Sequence, residues 1–178
     1  MITSRSRLLG IFFATTFVLA ACGGDPDASD TGATADGSTP AAAGGPPAFS
    51  APTLAGGEVD TASFEGRPTV LWFWAPWCTI CRAEASGVVE TAGELAEEVD
   101  LYGVAGRGEV DAMEQFVDQT GTDGLTHVID DDGSIWSDYE VAAQPAFAFI
   151  DADGEVEVFV GTLGREGLRE RMQDLIAS

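Results

Sequence analysis

Pro68-Thr69-Val70-Leu71-Trp72-Phe73-Trp74-Ala75-Pro76-Trp77-Cys78-Thr79-Ile80-Cys81-Arg82-Ala83-Glu84 contains two cysteines in a Cys-x-x-Cys spacing. Residues 69–74 form a continuous β-branched, aliphatic and aromatic run, the pattern of a strand buried on both faces. Ala75-Pro76-Trp77 breaks the run, and Cys78 opens a helical stretch predicted to reach about residue 99. At the first turn of a helix, free N–H groups and the helix dipole stabilise a thiolate at Cys78. Cys81 lies one turn deeper on the same side. The first sulfur can attack a substrate disulfide or, as half of a disulfide, be attacked. The second can resolve the mixed disulfide that forms.

The same four residues admit two other uses. Structural zinc needs four ligands, and the remaining candidates are Cys22 and His127, neither of them in a second ligand pair. A purely structural disulfide across so short a loop adds little stability by loop entropy. Strand, aromatic, Pro, Trp, Cys-x-x-Cys and helix in succession is more specific than the four-residue motif, and it favours the redox use. Nothing in the sequence calls for a metal or a cofactor.

Working outward, the N-terminal side is an address followed by a tether. Arg5 and Arg7 precede an apolar run at residues 8–19, then Ala20 and Ala21. That is a secretory signal, since a membrane span takes roughly 20 apolar residues. Leu19-Ala20-Ala21-Cys22 resembles the lipobox of bacterial lipoproteins, which implies acylation of Cys22 and anchoring without a membrane span. Of 3 cysteines, this leaves an even pair for redox work. Residues 23–47 hold only Gly, Ala, Asp, Ser, Thr and Pro. Such a stretch cannot bury enough surface to offset ordering entropy, so residues 22–47 are expected to be a lipidated cysteine and a flexible tether. Its random-coil reach is on the order of 25–30 Å. Residues 1–21 are the expected signal peptide and 48–178 the expected folded domain.

On the C-terminal side strands and helices alternate. Short strands are expected at residues 49–54 and 58–61 around the Gly56-Gly57 turn. Further strands fall at 100–105, 126–129, 146–150 and 155–160, the last pair joined by the hairpin signal Asp153-Gly154. Helices are expected at 109–120, 134–140 and 165–176. This order implies an α/β fold with a central mixed sheet flanked by helices and an N-terminal β-hairpin extension. The acidic turns at 130–133 and 151–154 lack the ligand spacing of a calcium loop. With 30 acidic against 8 basic residues the chain carries a formal charge of −22, which argues against nucleic acid as a partner.

The span from Phe49 to Ser178 resembles the thioredoxin superfamily, in its extracytoplasmic TlpA/ResA/DsbE branch. Trp74-Ala75-Pro76-Trp77-Cys78-Thr79-Ile80-Cys81 matches that branch's Trp-Ala-x-Trp-Cys-x-x-Cys, and Gln144-Pro145-Ala146-Phe147 stands ahead of a strand as the family requires. The likeness is greatest to the actinobacterial DsbE/DsbF-type secreted disulfide oxidoreductases. It implies a thioredoxin-like fold, thiol-disulfide oxidoreductase activity at Cys78 and Cys81, and a cis bond before Pro145. It also implies substrate contact at Gln144 and Trp77. Trp77 has an alternative reading as simple packing on the helix.

Glu84, three residues after Cys81, matches the Cys-x-x-Cys-x-x-Glu pattern of ResA-like proteins, which implies a proton relay; otherwise it is a solvated helix-face acid. Trp72 stands where cytoplasmic thioredoxins bury an Asp, and Thr79-Ile80 replaces their Gly-Pro. His127 reads as an ordinary strand residue. Neither Cys follows the Pro-x-x-x-Thr-x-x-Cys pattern of peroxiredoxins. The expected partners are cysteine-containing exported proteins and a membrane redox partner that re-oxidises or re-reduces the pair. Three functions compete: an oxidase for exported proteins, a tethered reductase such as one serving cytochrome c maturation, and a non-catalytic binding or chaperone module.

Overall fold

The computed structural model describes residues 38–40 and 45–178. The expected signal peptide, Cys22 and most of the expected tether lie outside the described residues.

The elements follow in the order β1 (Ser38–Pro40), β2 (Ser50–Pro52), β3 (Glu58–Asp60), a 3-10 turn (Thr61–Phe64), β4 (Thr69–Trp74), α1 (Thr79–Glu94), β5 (Asp100–Gly106), α2 (Val110–Thr120), β6 (Thr126–Asp130), α3 (Ser134–Asp138), β7 (Ala146–Ile150), β8 (Val156–Val160) and α4 (Gly164–Ala177). The main sheet has the order β1-β8-β7-β4-β5-β6, and β2 and β3 form a separate hairpin. β4, β5 and β6 run parallel, while β7 and β8 are antiparallel to their neighbours. The fold is therefore a mixed sheet flanked by helices with an N-terminal hairpin, of thioredoxin-like type. The hairpin reaches the sheet through a bridge between Thr53 and Val128.

β4 is central because all six of its residues are buried, and the period of two sorts them between two cores. Val70, Trp72 and Trp74 join Ala85 and Val88 of α1, Phe116 of α2 and Met172 of α4. Leu71 and Phe73 join Phe64, Ile135, Trp136, Tyr139 and Val141 on the other face. Burying one such large apolar side chain stabilises the fold by roughly 1.5–3 kcal/mol.

Three local features differ from the sequence expectation. Helix α1 stops at Glu94 rather than near residue 99, and Leu95 N–H closes its last turn on Thr91 O at 3.2 Å. The reason lies earlier in the chain: the Arg67 guanidinium donates to Ala96 O and Glu97 O and pairs with Asp100 at 2.7 Å. It thereby satisfies carbonyls that a longer helix would have used and turns the chain into β5. A 3-10 turn follows β3 because Asp60 Oδ1 accepts the Ala62 N–H at 2.8 Å, which buries Phe64. Finally, Ser38–Pro40, within the stretch expected to be a tether, pairs antiparallel with β8. Backbone pairing needs no apolar side chain, and β8 offers it an edge.

Candidate active site

Cys78 is the N-cap of α1, with extended backbone, and its sulfur accepts the Cys81 N–H at 3.0 Å. The turn that puts it there is closed by Cys78 N–H on Ala75 O at 3.0 Å. Arg82 secures the turn from the helix side, donating to Pro76 O at 3.1 Å while its guanidinium lies 4.8 Å from the Phe116 ring centre. The two cysteines are joined as a disulfide, with Cα atoms 5.3 Å apart. Cys78 keeps 5% exposure and Cys81 none, so an incoming sulfur meets Cys78.

Trp77 and Ile80 flank Cys78 and are 60% and 53% exposed, which makes Trp77 a rim residue and not a packed one. Its indole N–H donates to Arg107 O at 2.8 Å. The Gln144–Pro145 peptide bond is cis. The antiparallel register pairs Phe73 with Ala146, so Pro145 sits at the end of β4 from which the Cys-x-x-Cys turn springs. Pro145 O accepts the Gly161 N–H at 2.9 Å.

Glu84 is buried in the core, not solvated on the helix face. One oxygen accepts the Trp72 indole N–H at 3.1 Å and the other the Thr162 hydroxyl at 2.6 Å. Burial pushes its carboxyl above the usual carboxylate range, against the pull of those two donors. It follows Cys81 by one helical turn on the same face. The strand position where cytoplasmic thioredoxins bury an Asp thus supplies a tryptophan that holds a helix carboxyl.

His127, expected to be an ordinary strand residue, is buried in a second indole contact. Its Nδ1 accepts from Trp74 Nε1 at 3.2 Å, which leaves Nε2–H to donate to Thr122 O at 2.9 Å. Gly103 makes room for the ring, since a Cβ there would lie 2.2 Å from His127 Nδ1. Burial pulls the imidazole below its ordinary pKa.

Two residues at the site escaped the sequence reading. Thr162 is met only through the fold, 78 residues from Glu84. Arg107 left one trace, the two glycines that enclose it. Among the described residues no cluster of three metal-ligating side chains occurs, and no helix is long and apolar enough to cross a membrane.

Residues 45–159 match the AhpC/TSA family. The chain belongs to that family. It is 45% identical over 106 residues to the soluble secreted antigen MPT53 of Mycobacterium tuberculosis, covering 60% of each chain. It is 30% identical over 120 residues to the thiol-disulfide oxidoreductase ResA of Oceanobacillus iheyensis, covering 66% of this chain and 62% of ResA. The matched span is thus about 60% of the length of these relatives. DsbF of Mycobacterium tuberculosis, solved in mixed oxidised and reduced forms, matches at 42% identity with a TM-score of 0.69, covering 71% of this chain and 94% of that one. Family relatives and structural neighbours include thiol-disulfide oxidoreductases.

Proposed function

We propose that this chain is an extracytoplasmic thiol-disulfide oxidoreductase that forms disulfides in exported proteins. The observation that carries the proposal is the Cys78–Cys81 disulfide at the N-terminus of α1, of which Cys78 alone keeps any solvent access. A substrate thiolate attacks Cys78 Sγ, the Cys78–Cys81 bond breaks, and Cys81 leaves with the electron pair and takes up a proton. A second substrate thiolate then attacks the substrate sulfur of the mixed disulfide, and Cys78 leaves as a thiolate stabilised by the helix N-terminus. The substrate dithiol loses two electrons and two protons; the cysteine pair gains both electrons and one proton, on Cys81, and the other proton goes to solvent. Glu84 exchanges the proton with Cys81, while Trp77, Gln144 and Pro145 receive the polypeptide. A membrane redox partner re-oxidises the pair.

The resemblance to actinobacterial DsbE/DsbF-type secreted disulfide oxidoreductases, with Thr79-Ile80 in place of Gly-Pro between the cysteines, supports the oxidising direction. The reduction potential of the Cys78–Cys81 couple tests it. A value toward the DsbA end, about −120 mV, is expected; one near the thioredoxin value of about −270 mV or lower overturns it. A second reading, a tethered reductase, draws support from buried Glu84 and the similarity to ResA. Mixed disulfides with apocytochromes trapped by a Cys81→Ser variant would favour that reading; trapped unrelated exported proteins would exclude it.

Residues 1–21 act in this proposal as signal peptide, acylated Cys22 as anchor on the extracytoplasmic side of the cell membrane, and 48–178 as the redox domain. The lipobox-like Leu19-Ala20-Ala21-Cys22 supports the anchor. Incorporation of labelled fatty acid, abolished in Cys22→Ser, is the expected result.

A further inference from the structure

Among the described residues the arginines fall into two groups. Arg67, Arg165, Arg169 and Arg171 each pair with a carboxylate. Arg82 and Arg107 form no such pair, and both stand at the rim of the cysteine site. Arg107 is the more unusual of the two. With φ of 56° it is one of two non-glycine residues among the described ones in the left-handed region. That region is unfavourable for an arginine, and such a residue persists where its surroundings over-determine it.

The surroundings here do so from both sides. A Cβ on Gly106 would lie 2.5 Å from Trp136 Nε1, and one on Gly108 would lie 2.4 Å from Pro76 Cγ. Between these two close approaches the Arg107 carbonyl turns toward Trp77 and accepts its indole N–H at 2.8 Å. The side chain reaches a different set of partners. It stacks over Trp136, 4.6 Å from the ring centre, and donates to Gln144 Oε1 at 3.3 Å and Ala142 O at 3.0 Å. One residue therefore holds the aromatic just before Cys78 with its backbone and the loop just before Pro145 with its guanidinium.

We propose that Arg107 is a positioning residue for polypeptide substrates, fixing Trp77 and Gln144 as opposed walls between which an extended cysteine-containing segment is gripped. This rests on the thiol-disulfide exchange proposed above and adds to it the device that sets docking apart from electron transfer. The Arg107 hydrogen bonds go to the walls and none goes to either sulfur. Its loss therefore weakens the grip on a chain and leaves the reactivity of the cysteine pair as it was. The positive φ has a use in this arrangement. It lets the carbonyl and the side chain of a single residue reach the two walls separately.

The test compares two dithiols with the full oxidised chain: dithiothreitol, which needs no docking walls, and reduced, denatured ribonuclease A. In Arg107→Ala and Arg107→Gly the KM for ribonuclease is expected to rise about tenfold, the worth of roughly one hydrogen bond to a charged group. The dithiothreitol rate and the reduction potential are expected to stay at the wild-type values. Arg107→Gly separates side chain from backbone, because glycine adopts the positive φ freely and keeps the carbonyl toward Trp77. Wild-type KM in Arg107→Gly would overturn the proposal. So would equal losses with both dithiols, which would mean a disturbed fold or redox pair. A wild-type chain that oxidises neither dithiol would instead refute the exchange reaction itself.

Discussion

The two faces of the central sheet bury different chemistry. On the α3 face, Leu71 and Phe73 of β4 pack among aromatic rings, with Phe73 5.8 Å from Trp136 edge-on and 5.6 Å from Tyr139. On the α1 face, both indoles of β4 carry hydrogen bonds, Trp72 to Glu84 and Trp74 to His127. Each face also buries one carboxylate. Asp130, at the end of β6, accepts the Ile135 and Trp136 backbone N–H groups at 3.1 and 2.9 Å and so caps α3. Glu84 is held only by side chains and stands one turn from Cys81. A buried acid satisfied by backbone amides is explained by the helix it starts. One satisfied by an indole and a hydroxyl, one turn from a disulfide, starts no helix, and the proton exchange proposed for Glu84 would account for it.

The contrast can be broken or sharpened by mutation. The largest effect belongs to Cys78→Ser, which is expected to abolish exchange with any dithiol while the circular dichroism of the fold is retained. Phe73→Ala on the opposite face is expected to cost about 3–5 kcal/mol of stability in urea denaturation. The rate constant of its folded fraction should remain at the wild-type value; a parallel loss of rate would show that the faces are not separable. Asp130→Asn should cost on the order of 1 kcal/mol through the cap, with no change in reduction potential.

Glu84→Gln should act in the opposite direction. The folded state holds the Glu84 proton to higher pH than the unfolded chain does, so wild-type stability falls as pH rises from the ordinary value of 4.5 through the raised folded value. The variant should therefore unfold at higher urea than wild type at pH 8, with the gap closing toward pH 4. The exchange rate should lose the matching limb of its pH profile. The smallest effect is on the acid side. Buried His127 stays neutral below the pH at which the unfolded imidazole, with its ordinary value of 6.5, takes a proton. That group makes stability fall as pH drops through 6.5, and His127→Gln should flatten that slope.

Local patterns made much of this legible in the sequence. The buried run of β4, the break at Ala75-Pro76-Trp77 and the helix after Cys78 are all written within a few residues of one another. What stayed hidden depends on partners far along the chain. Glu84 could be solvated or buried until Trp72, 12 residues earlier, and Thr162, 78 later, are brought to it. The end of α1 is not legible locally because its stop signal is Arg67, 29 residues before the carbonyl it takes at Ala96. Arg107 is not legible because its conformation and partners, 29 to 37 residues distant, leave only two flanking glycines as a trace.

β1 along β8, and the contact of the N-terminal hairpin with β6 through Thr53 and Leu54, have a consequence for a protein whose proposed substrates are unfolded chains. An open strand edge is a template onto which a foreign strand can add, and from there aggregation spreads. Here the edge of β8 is taken by the three-residue β1, itself the outermost strand, and β6 meets the hairpin at one bridge. On the proposed function, a cysteine-bearing chain held at Trp77 would meet only these shortened edges, which favours its leaving once its sulfurs are joined over its becoming one more strand.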